Sequence, residues 1–313
     1  MVDGIEIIRG LHNLKPRHRG CVLTIGNFDG VHHGHQVLLA HLEAKKNELG
    51  VPSMLLTMEP APREFFAGAA VPARLTRFRE KVTLLQPLGL DRILCLPFND
   101  QVASIAAEWV VKELLHETLD ARYVVVGDDF RFGKGARGNY AMLEAAGRKY
   151  GFEVSHVGTL TFDHERVSST RVREALADGN FALAEKLLGH PYFIMGRVVY
   201  GRQLGRTLGV PTANIQLQRY RAALEGVYAV RIGGLGDEPL TGVANIGIRP
   251  TVDGKEPLLE VHIFDFDQDI YGELLSVEFC HKIRDEQQFD GLDALKAQIH
   301  YDLATAREWF NCD

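Results

Sequence analysis

Two histidines three positions apart, His32 and His35, close a glycine-rich stretch that reads CVLTIGNFDGVHHGH from Cys21. If both lie in the first turn of a helix, their imidazole rings share one face and can reach one bound group together. Gly34, between them, leaves space for such a group. Imidazoles that donate hydrogen bonds to a polyphosphate stabilise the charge that builds up when a phosphorus atom is attacked. The pair therefore predicts the chemistry of adenylyl transfer.

The elements around the pair favour the same interpretation. The run from Cys21 to Ile25 has the length and apolar content of a buried parallel strand, and apolar residues recur at helical spacing from about His35 to Leu49. A strand-to-helix junction offers free N–H groups and the positive end of a helix dipole to phosphates. An isolated His-x-x-His is as often a set of surface residues or a fortuitous metal pair as it is a phosphate site, and here the glycine-rich flank favours the phosphate loop. The predicted loop comprises Gly26, Asn27, Phe28, Asp29, Gly30 and Gly34.

A second candidate anion site is the segment RVSSTRVR, from Arg166 to Arg173, which leads into a predicted helix. Serine and threonine at a helix start are common caps, and capping alone accounts for them in most proteins. Three guanidinium groups beside hydroxyls and free N–H groups make a strong anion site, suited to a triphosphate or a leaving pyrophosphate.

The C-terminal half carries a third motif, GRQLGRTLGVPTAN, which ends at Asn214. Its glycines and arginines predict a flexible, positively charged loop that covers phosphates. The alternative is a mobile loop without that role. Thr212 and Asn214 have small oxygen-bearing side chains, which suit a Mg²⁺ ion that takes its other ligands from water and nucleotide. The residues assigned to nucleotide binding in this motif are Gly201, Arg202, Gly205, Arg206 and Pro211.

The stretch GNFDGVHHGH resembles the signature of FMN adenylyltransferases, within the nucleotidyltransferase superfamily and its His-x-Gly-His motif. The whole chain, with motifs in both halves, resembles the bifunctional riboflavin kinase/FMN adenylyltransferases, also called FAD synthetases. The resemblance implies that the C-terminal half converts riboflavin and ATP to FMN and ADP. It implies that the N-terminal half converts FMN and ATP to FAD and pyrophosphate, and that both steps need Mg²⁺.

The same resemblance implies roles for individual residues. It assigns ATP binding to four residues of the second motif, and it places Mg²⁺ and ATP phosphates at the Pro-Thr-Ala-Asn segment. Glu260, which alternates with apolar neighbours on a predicted strand, becomes the general base for the ribityl hydroxyl, although most such glutamates face water. Arg284 corresponds to a family segment near the flavin and is otherwise an ordinary surface arginine. The four ATP-binding residues are Arg166, Ser169, Thr170 and Arg173.

A segment from Val126 to Gly138 contains GKGARG, a formal match to the dinucleotide fingerprint. We reject that reading because the first glycine comes too far after the predicted strand, and a Walker A loop would need Ser or Thr after its lysine. The family has a flavin- and nucleotide-contacting segment here, often with Asn where this chain has Asp129. Phe130 and Phe132 are predicted to flank the isoalloxazine ring, with burial in the core as the alternative.

The composition is that of an ordinary globular protein. The chain has 313 residues, 46% hydrophobic and 24% charged, with a formal net charge of −6. That charge argues against broad binding of nucleic acid or anionic membranes. Four widely spaced cysteines predict reduced thiols, and no apolar run reaches the roughly 18 residues of a membrane helix. We therefore expect a cytoplasmic protein with small-molecule substrates, as a monomer or a weak homo-oligomer.

The alternation of strand and helix patterns changes near residue 187. The first half predicts a Rossmann-like parallel sheet with helices on both faces. The second half predicts an antiparallel β-barrel, divided by Gly and Pro turns, with a terminal helix from about Leu292 to Phe310. The expected domains are residues 1–187 and 188–313.

Two rival functions remain open at this point. A single-activity nucleotidyltransferase would share the first domain but leave the Pro-Thr-Ala-Asn motif and Glu260 without a role. A non-catalytic flavin sensor would keep the barrel but not need both histidines and the kinase base.

Overall fold

The computed structural model describes residues 4–201, 209–251 and 254–312. Contacts divide the chain into two compact units. The first consists of Met1–Val71 and Thr76–Ser168, and the second of Pro72–Leu75 and Ser169–Asp313. The domain boundary at residue 187 stays a prediction.

The first unit is built on a six-stranded parallel sheet, as its alternating pattern predicts. The strands are β1 (Glu6–Arg9), β2 (Val22–Ile25), β3 (Ser53–Glu59), β4 (Arg92–Pro97), β5 (Tyr123–Gly127) and β6 (Glu153–Val157). Their order is β1-β4-β3-β2-β5-β6, so the chain leaves β2 towards β3 on one side and later returns to β5 on the other. Such a reversal of strand order opens a crevice at the carboxyl ends of the central strands.

All four residues of β2 are buried, because apolar clusters cover both faces of the sheet. The helices of this unit are α1 (His33–Leu49), α2 (Pro62–Ala67), α3 (Phe78–Leu85), α4 (Asp100–Ala103), α5 (Ala107–Trp109) and α6 (Tyr140–Tyr150). Short 3₁₀ turns span Leu11–Asn13, Pro16–His18, Gly68–Ala70, Gln86–Leu88 and Lys134–Ala136. A hairpin of β7 (Thr161–Phe162) and β8 (Glu165–Arg166) completes the unit.

The sequence pattern predicts one helix from about Gln101 to His116, and the structure breaks it. The α4 helix ends at Ala103, and α5 continues into a π-helix, Val110–Thr118. In that last turn the Leu119 N–H donates to the Leu114 carbonyl at 2.9 Å. A residue-type pattern does not report such a change of hydrogen-bond spacing.

The second unit contains a closed antiparallel barrel, which confirms the predicted class. Its strands are β9 (Phe193–Val199), β10 (Ala213–Gln216), β11 (Gly226–Gly233), β12 (Leu240–Thr251), β13 (Gly254–Ile263) and β14 (Leu274–Arg284), in the order β10-β13-β12-β11-β14-β9. Helices α7 (Ser169–Ala177) and α8 (Phe181–Leu188) precede the barrel, and α9 (Leu292–Cys312) follows it. Ala306 of α9 is buried against Val227, Ala229 and Val243 of the barrel's outer face.

Candidate functional site

Residues 26–35, which comprise the loop after β2 and the first residues of α1, are called the histidine loop below. It leaves the sheet where the Gly26 N–H donates to the Leu56 carbonyl at 3.0 Å. Phe28 and Val31 both have positive φ, at 50° and 45°, a conformation that costs free energy in non-glycine residues. Such strain persists only where the surroundings hold it, and it is concentrated at functional sites.

Thr76 ties this loop in place. The Gly30 N–H donates to Thr76 Oγ1 at 2.9 Å, and the Thr76 N–H donates to Asp29 Oδ1 at 2.9 Å. Asp29, predicted to bind nucleotide, therefore already shapes the loop through its carboxylate. Sequence reasoning missed Thr76 because nothing local links it to a loop more than forty residues earlier.

The two histidine rings lie against each other. Their centroids are 3.7 Å apart and their planes differ by 16°, and the His35 ring also stacks on Phe28 with centroids 4.6 Å apart. A Cβ atom on Gly34 would lie 3.2 Å from the His32 ring, so the absent side chain gives that ring its room. Phe28, predicted to bind nucleotide, is buried and contacts the pair through His35.

Burial controls the charge of both rings. It lowers the pKa of His32 to about 4, against the opposing pull of the Asp29 carboxylate. It also lowers the pKa of His35, and electrostatic interactions with His32 and Lys81 act in the same direction. Both imidazoles are therefore neutral near pH 7 and each can donate one hydrogen bond.

Three buried polar atoms of the histidine loop have no hydrogen-bond partner among the described residues: Nδ1 of His32, Nδ1 of His35 and Oδ1 of Asn27. Buried polar atoms are nearly always paired, so a group of three in one loop calls for an explanation. A polar ligand bound at this loop supplies one.

The loop after β5 lies next to the histidine loop in strand order, because β5 pairs with β2. Here Arg166 donates to Asp129 at 2.8 Å, so two residues predicted to bind nucleotide neutralise each other in part. Phe130 and Phe132 stack with centroids 5.5 Å apart. Phe132 is only 9% exposed and forms part of the core, while Phe130 is half-buried.

Residues 169–173 of the RVSSTRVR motif fall in the second unit, and residues 166–168 fall in the first. Ser169 and Thr170 occupy the first turn of α7. Arg173 donates through Nε to the Ala73 carbonyl, so its guanidinium group already holds a backbone segment of that unit. Arg166 belongs to the first unit.

An exposed aromatic cluster, Phe65, Phe66 and Phe98, lies at the carboxyl ends of β3 and β4. The rings pack edge to face with centroids 5.3 to 5.8 Å apart, and Phe66 is 71% exposed. It offers ring faces to a planar ligand at the same edge of the sheet as the histidine loop. The only signal in the sequence is the pair of adjacent phenylalanines, and adjacent aromatics are common in cores.

Strand register brings the polar residues of the barrel together. Asn214 of β10 lies opposite Glu260 of β13, and Glu260 lies opposite Asn245 of β12. Residues directly opposite in an antiparallel pair point to the same face, so these three form a polar row. Leu259 and Val261 are fully buried on the other face, as the alternation around Glu260 predicts.

The Pro-Thr-Ala-Asn segment lies at one end of the polar row. Asn214 Nδ2 donates to the Thr212 carbonyl at 3.4 Å, which leaves Oδ1 for another partner. A Cβ atom on Gly201 would lie 2.3 Å from Asn214 Nδ2, so only glycine leaves space beside this amide. The Pro211 carbonyl accepts a hydrogen bond from His262 Nδ1 at 2.8 Å.

His262 was missed by sequence reasoning, although its spacing of two from Glu260 is a usable signal on a strand. Arg202, Gly205 and Arg206, the predicted flap residues, lie outside the described residues.

Arg284 is occupied by a structural partner. Its Nε donates to both carboxylate oxygens of Asp302 at 3.1 and 3.0 Å, and Asp302 is only 3% exposed. The guanidinium carbon also lies 5.6 Å from the centre of the Phe289 ring. Glu286, two residues on, accepts a hydrogen bond from Asn245. Partial burial raises the pKa of Glu286, and the negative charges of Glu225 and Glu260 act in the same direction.

Among the described residues, no group of three or more His, Cys, Asp or Glu side chains is arranged to hold a metal ion. Within the same part of the chain, no helix is both long and apolar enough to cross a membrane.

A parallel sheet of the nucleotide-binding type, followed along the chain by an antiparallel barrel, defines a class of two-domain proteins. The FAD synthetase family model matches residues 14–171, and the riboflavin kinase family model matches residues 188–310. The chain belongs to the bifunctional riboflavin kinase/FMN adenylyltransferase family. Curated members from Escherichia coli K12 and Haemophilus influenzae are 50% and 48% identical over 307 residues, which is 98% of this chain and 98% and 100% of theirs.

A solved structure is also similar over nearly the whole chain. It covers 97% of this chain and 100% of its own, with a TM-score of 0.78 and 32% identity. Its title describes a macrolide-efflux protein from Streptococcus pneumoniae. The likeness supports the fold of both units.

Proposed function

We propose that the two activities of this family are carried by two separate sites in this chain, adenylyl transfer by the histidine loop and phosphoryl transfer by the polar row. The chain is a riboflavin kinase and an FMN adenylyltransferase, which makes FMN and then FAD from riboflavin and ATP. The observation that carries the site assignment is the set of three unpartnered buried polar atoms in the histidine loop.

In adenylyl transfer, a phosphate oxygen of FMN attacks the α-phosphorus of ATP. One phosphorus–oxygen bond forms, the bond to the β-phosphate oxygen breaks, and pyrophosphate leaves with the electron pair. The neutral His32 and His35 rings donate hydrogen bonds to the phosphate oxygens on which charge develops, and neither ring needs to gain or lose a proton. The loop N–H groups and the α1 dipole add to this stabilisation. Arg166, Ser169, Thr170 and Arg173 are proposed to bind the ATP phosphates.

In phosphoryl transfer, the terminal ribityl hydroxyl attacks the γ-phosphorus of ATP and ADP leaves. The Glu260 carboxylate is proposed to accept the hydroxyl proton as the bond forms. Its place in the polar row, between two asparagine side chains, fixes its direction through strand register. Gly201, Arg202, Gly205, Arg206 and Pro211 are proposed to bind the ATP phosphates.

The barrel site has features that fit Mg²⁺. Thr212 and Asn214 provide a hydroxyl and an amide oxygen, the hard ligands that this ion prefers, and the space beside Gly201 keeps the amide accessible. An ion with two protein ligands takes the others from water and phosphates. When bound, it offsets the charge of the transferring phosphoryl group.

The isoalloxazine ring is proposed to bind beside the histidine loop. Phe130, at the edge of the core, can present a ring face there, and the exposed aromatic cluster offers larger accessible faces at the same sheet edge. Phe132 supports Phe130 from within the core. In the barrel, Arg284 and its segment are proposed to bind the flavin. The hydrogen bond from Arg284 to Asp302 holds this segment in place.

We further propose residues 1–187 and 188–313 as the functional domains. The protein is proposed to act in the cytoplasm, where ATP is available and free cysteines stay reduced. Its partners are proposed to be small molecules and not nucleic acid, with the chain as a monomer or weak homo-oligomer.

Chromatography of the flavins formed from riboflavin, ATP and Mg²⁺ tests the assignment. We expect FMN to appear before FAD, and added FMN to give FAD without riboflavin. Removal of Mg²⁺ with a chelator should stop both reactions, and its return should restore them. A folded, ATP-binding protein that forms neither product would overturn the assignment and point to a flavin-binding module.

A further inference from the structure

Thr76 is a buried hydrogen-bonding residue that the proposed reaction does not use. It lies two residues before α3 and is 3% exposed. Its hydroxyl accepts a hydrogen bond from the Gly30 N–H at 2.9 Å and donates one to Asp29 Oδ1 at 3.4 Å, and its own N–H donates to Asp29 Oδ1 at 2.9 Å. Asp29 and Gly30 are therefore held by one residue, through hydrogen bonds that burial strengthens.

The two residues that Thr76 holds lie between the two strained residues of the histidine loop. Phe28 and Val31 have φ values of 50° and 45°, on either side of Asp29 and Gly30. Positive φ is uncommon outside glycine, and in a β-branched residue such as valine it is an outlier. Such a backbone persists only where its surroundings hold it. The Val31 N–H donates to the Phe28 carbonyl at 3.3 Å, so the tie to Thr76 adds a shorter bond in the middle of this turn.

The strained backbone leads directly to the two histidine rings. The Phe28 ring stacks on the His35 ring, and Val31 precedes His32, the N-cap residue of α1. Phe28 and Val31 are buried in one apolar cluster, at 3% and 1% exposed, so a change in their backbone angles is transmitted to their packed neighbours. Release of the backbone between Phe28 and Val31 should therefore shift the two rings relative to each other.

Thr76 is itself fixed by the start of α3. The Arg77 N–H donates to the Glu80 carboxylate, which caps the first turn of this helix. Leu85, the last residue of α3, is buried in the same apolar cluster as Phe28. Through Thr76, the histidine loop is therefore attached to a capped and packed helix.

We propose that Thr76 is a positioning residue for adenylyl transfer, which holds the histidine loop so that the His32 and His35 rings are aligned before the nucleotide binds. This inference rests on the proposed role of the histidine loop. Thr76 acts through Asp29 and Gly30 and does not touch substrate. Because the two donors are already in place, they need no reorganisation as charge develops on the phosphates.

The first experiment compares Thr76→Val and Thr76→Ser with the unmodified chain. Valine keeps the shape of threonine but removes the hydroxyl that accepts from Gly30, whereas serine keeps that hydroxyl. We expect kcat for FAD formation from FMN to fall roughly 10–10²-fold in Thr76→Val, because the two donors are misplaced. The KM values should change little, since the residues proposed to bind the ATP phosphates stay in place. Thr76→Ser should recover most of the lost rate, and riboflavin phosphorylation by both variants should be nearly unchanged.

Thr83→Val is the matched control, because the exposed hydroxyl of Thr83 donates to the Arg79 carbonyl of its own helix at 3.1 Å. Both rates of this variant should stay at the unmodified level. A kcat for FAD formation in Thr76→Val equal to that in Thr83→Val would overturn the inference, and so would a Thr76→Ser variant as slow as Thr76→Val. Trp109 lies in the first unit and Trp309 in α9, so fluorescence in a Trp309→Phe background shows that the first unit of each variant is folded.

Amide hydrogen exchange of the full-length chain, followed by NMR without nucleotide, gives a test that needs no variant at Thr76. The Gly30 N–H should be strongly protected, because it donates to a buried hydroxyl. Unprotected exchange at Gly30 would contradict the proposal, since the loop would then not be held before the nucleotide binds. If the unmodified chain makes no FAD from FMN, the proposed role of the histidine loop fails first; if it makes FAD and Thr76→Val keeps the full kcat, only the role of Thr76 fails.

Discussion

The histidine loop of the first unit and the polar row of the second hold their side chains by different means. In the histidine loop, burial and stacking keep two imidazoles neutral, with strained backbone at Phe28 and Val31. In the polar row, strand register alone sets Asn214, Glu260 and Asn245 side by side on one face. One site therefore depends on a low-dielectric environment and the other on hydrogen-bonded alignment.

The difference follows from the two chemistries. Adenylyl transfer between two phosphate groups needs donors for developing charge, and neutral imidazoles provide these without proton transfer. Phosphorylation of an alcohol needs a proton acceptor, which is the role proposed for the Glu260 carboxylate. Variants that damage one site should leave the other reaction intact.

The largest effect is expected from Glu260→Gln. Loss of the proton acceptor should slow riboflavin phosphorylation by roughly 10²–10⁴-fold, while FAD formation from supplied FMN stays within twofold. Initial rates of the two half-reactions check this. Glu278→Gln, at another barrel glutamate paired with Arg231, is the control and should change neither rate strongly. Equal loss of both reactions in Glu260→Gln would show a general defect.

Asparagine substitutions of the two histidines should give the opposite selectivity. His32→Asn and His35→Asn should each slow FAD formation by roughly 10²–10³-fold, because a positioned donor to the phosphates is lost. Riboflavin phosphorylation should be unaffected. His33→Asn, between them and without a role in the ring stack, should stay near the unmodified rate. Full adenylylation activity in His32→Asn would remove the histidine loop from the mechanism.

The pH dependence of the free energy of unfolding should also distinguish the histidine loop from the polar row. Because the pKa of His32 falls from 6.5 to about 4 on folding, the unfolded chain binds a proton between those values that the folded chain does not. The resulting stabilisation is full above pH 6.5 and decreases as the pH falls. We expect His32 to account for about 2 kcal/mol of lost stability between pH 7 and pH 5.

Urea unfolding followed by a probe in the first unit measures this loss. The dependence should be reduced in His32→Asn by that amount. An identical pH dependence in the variant and the unmodified chain would mean that His32 is not buried as a neutral ring.

The smallest of these effects concerns Gly201→Ala. The new Cβ atom crowds Asn214, which should reduce riboflavin phosphorylation by about tenfold and raise the Mg²⁺ concentration needed for half-maximal rate. Gly236→Ala is the control, because a Cβ there meets no atom within 4 Å. If both variants need the same Mg²⁺ concentration for half-maximal rate as the unmodified chain, the space between Gly201 and Asn214 is not a metal site.

Sequence reasoning recovered elements with long, regular patterns more fully than the short polar ones. The residue pattern predicts helices at about 169–177 and 181–188, and α7 and α8 have these bounds. No strand pattern marks β10, because its four residues ANIQ lack a clear alternation and its place is fixed only by pairing with β13 and β9. The pattern around Phe132 left both flavin contact and core burial open, and only packing decided that this ring is buried.

The sequence by itself determined the fold class, the family and the residue types of both sites, because strand and helix periods, glycine turns and the His-x-Gly-His and Pro-Thr-Ala-Asn motifs are local. The tertiary structure decided the ring stacking of His32 and His35, their low pKa values and the tie from Thr76. Each of these depends on distance and burial between segments far apart in the chain, which residue spacing does not encode. The same holds for the polar row, since strand register is set by the whole barrel and not by any one strand.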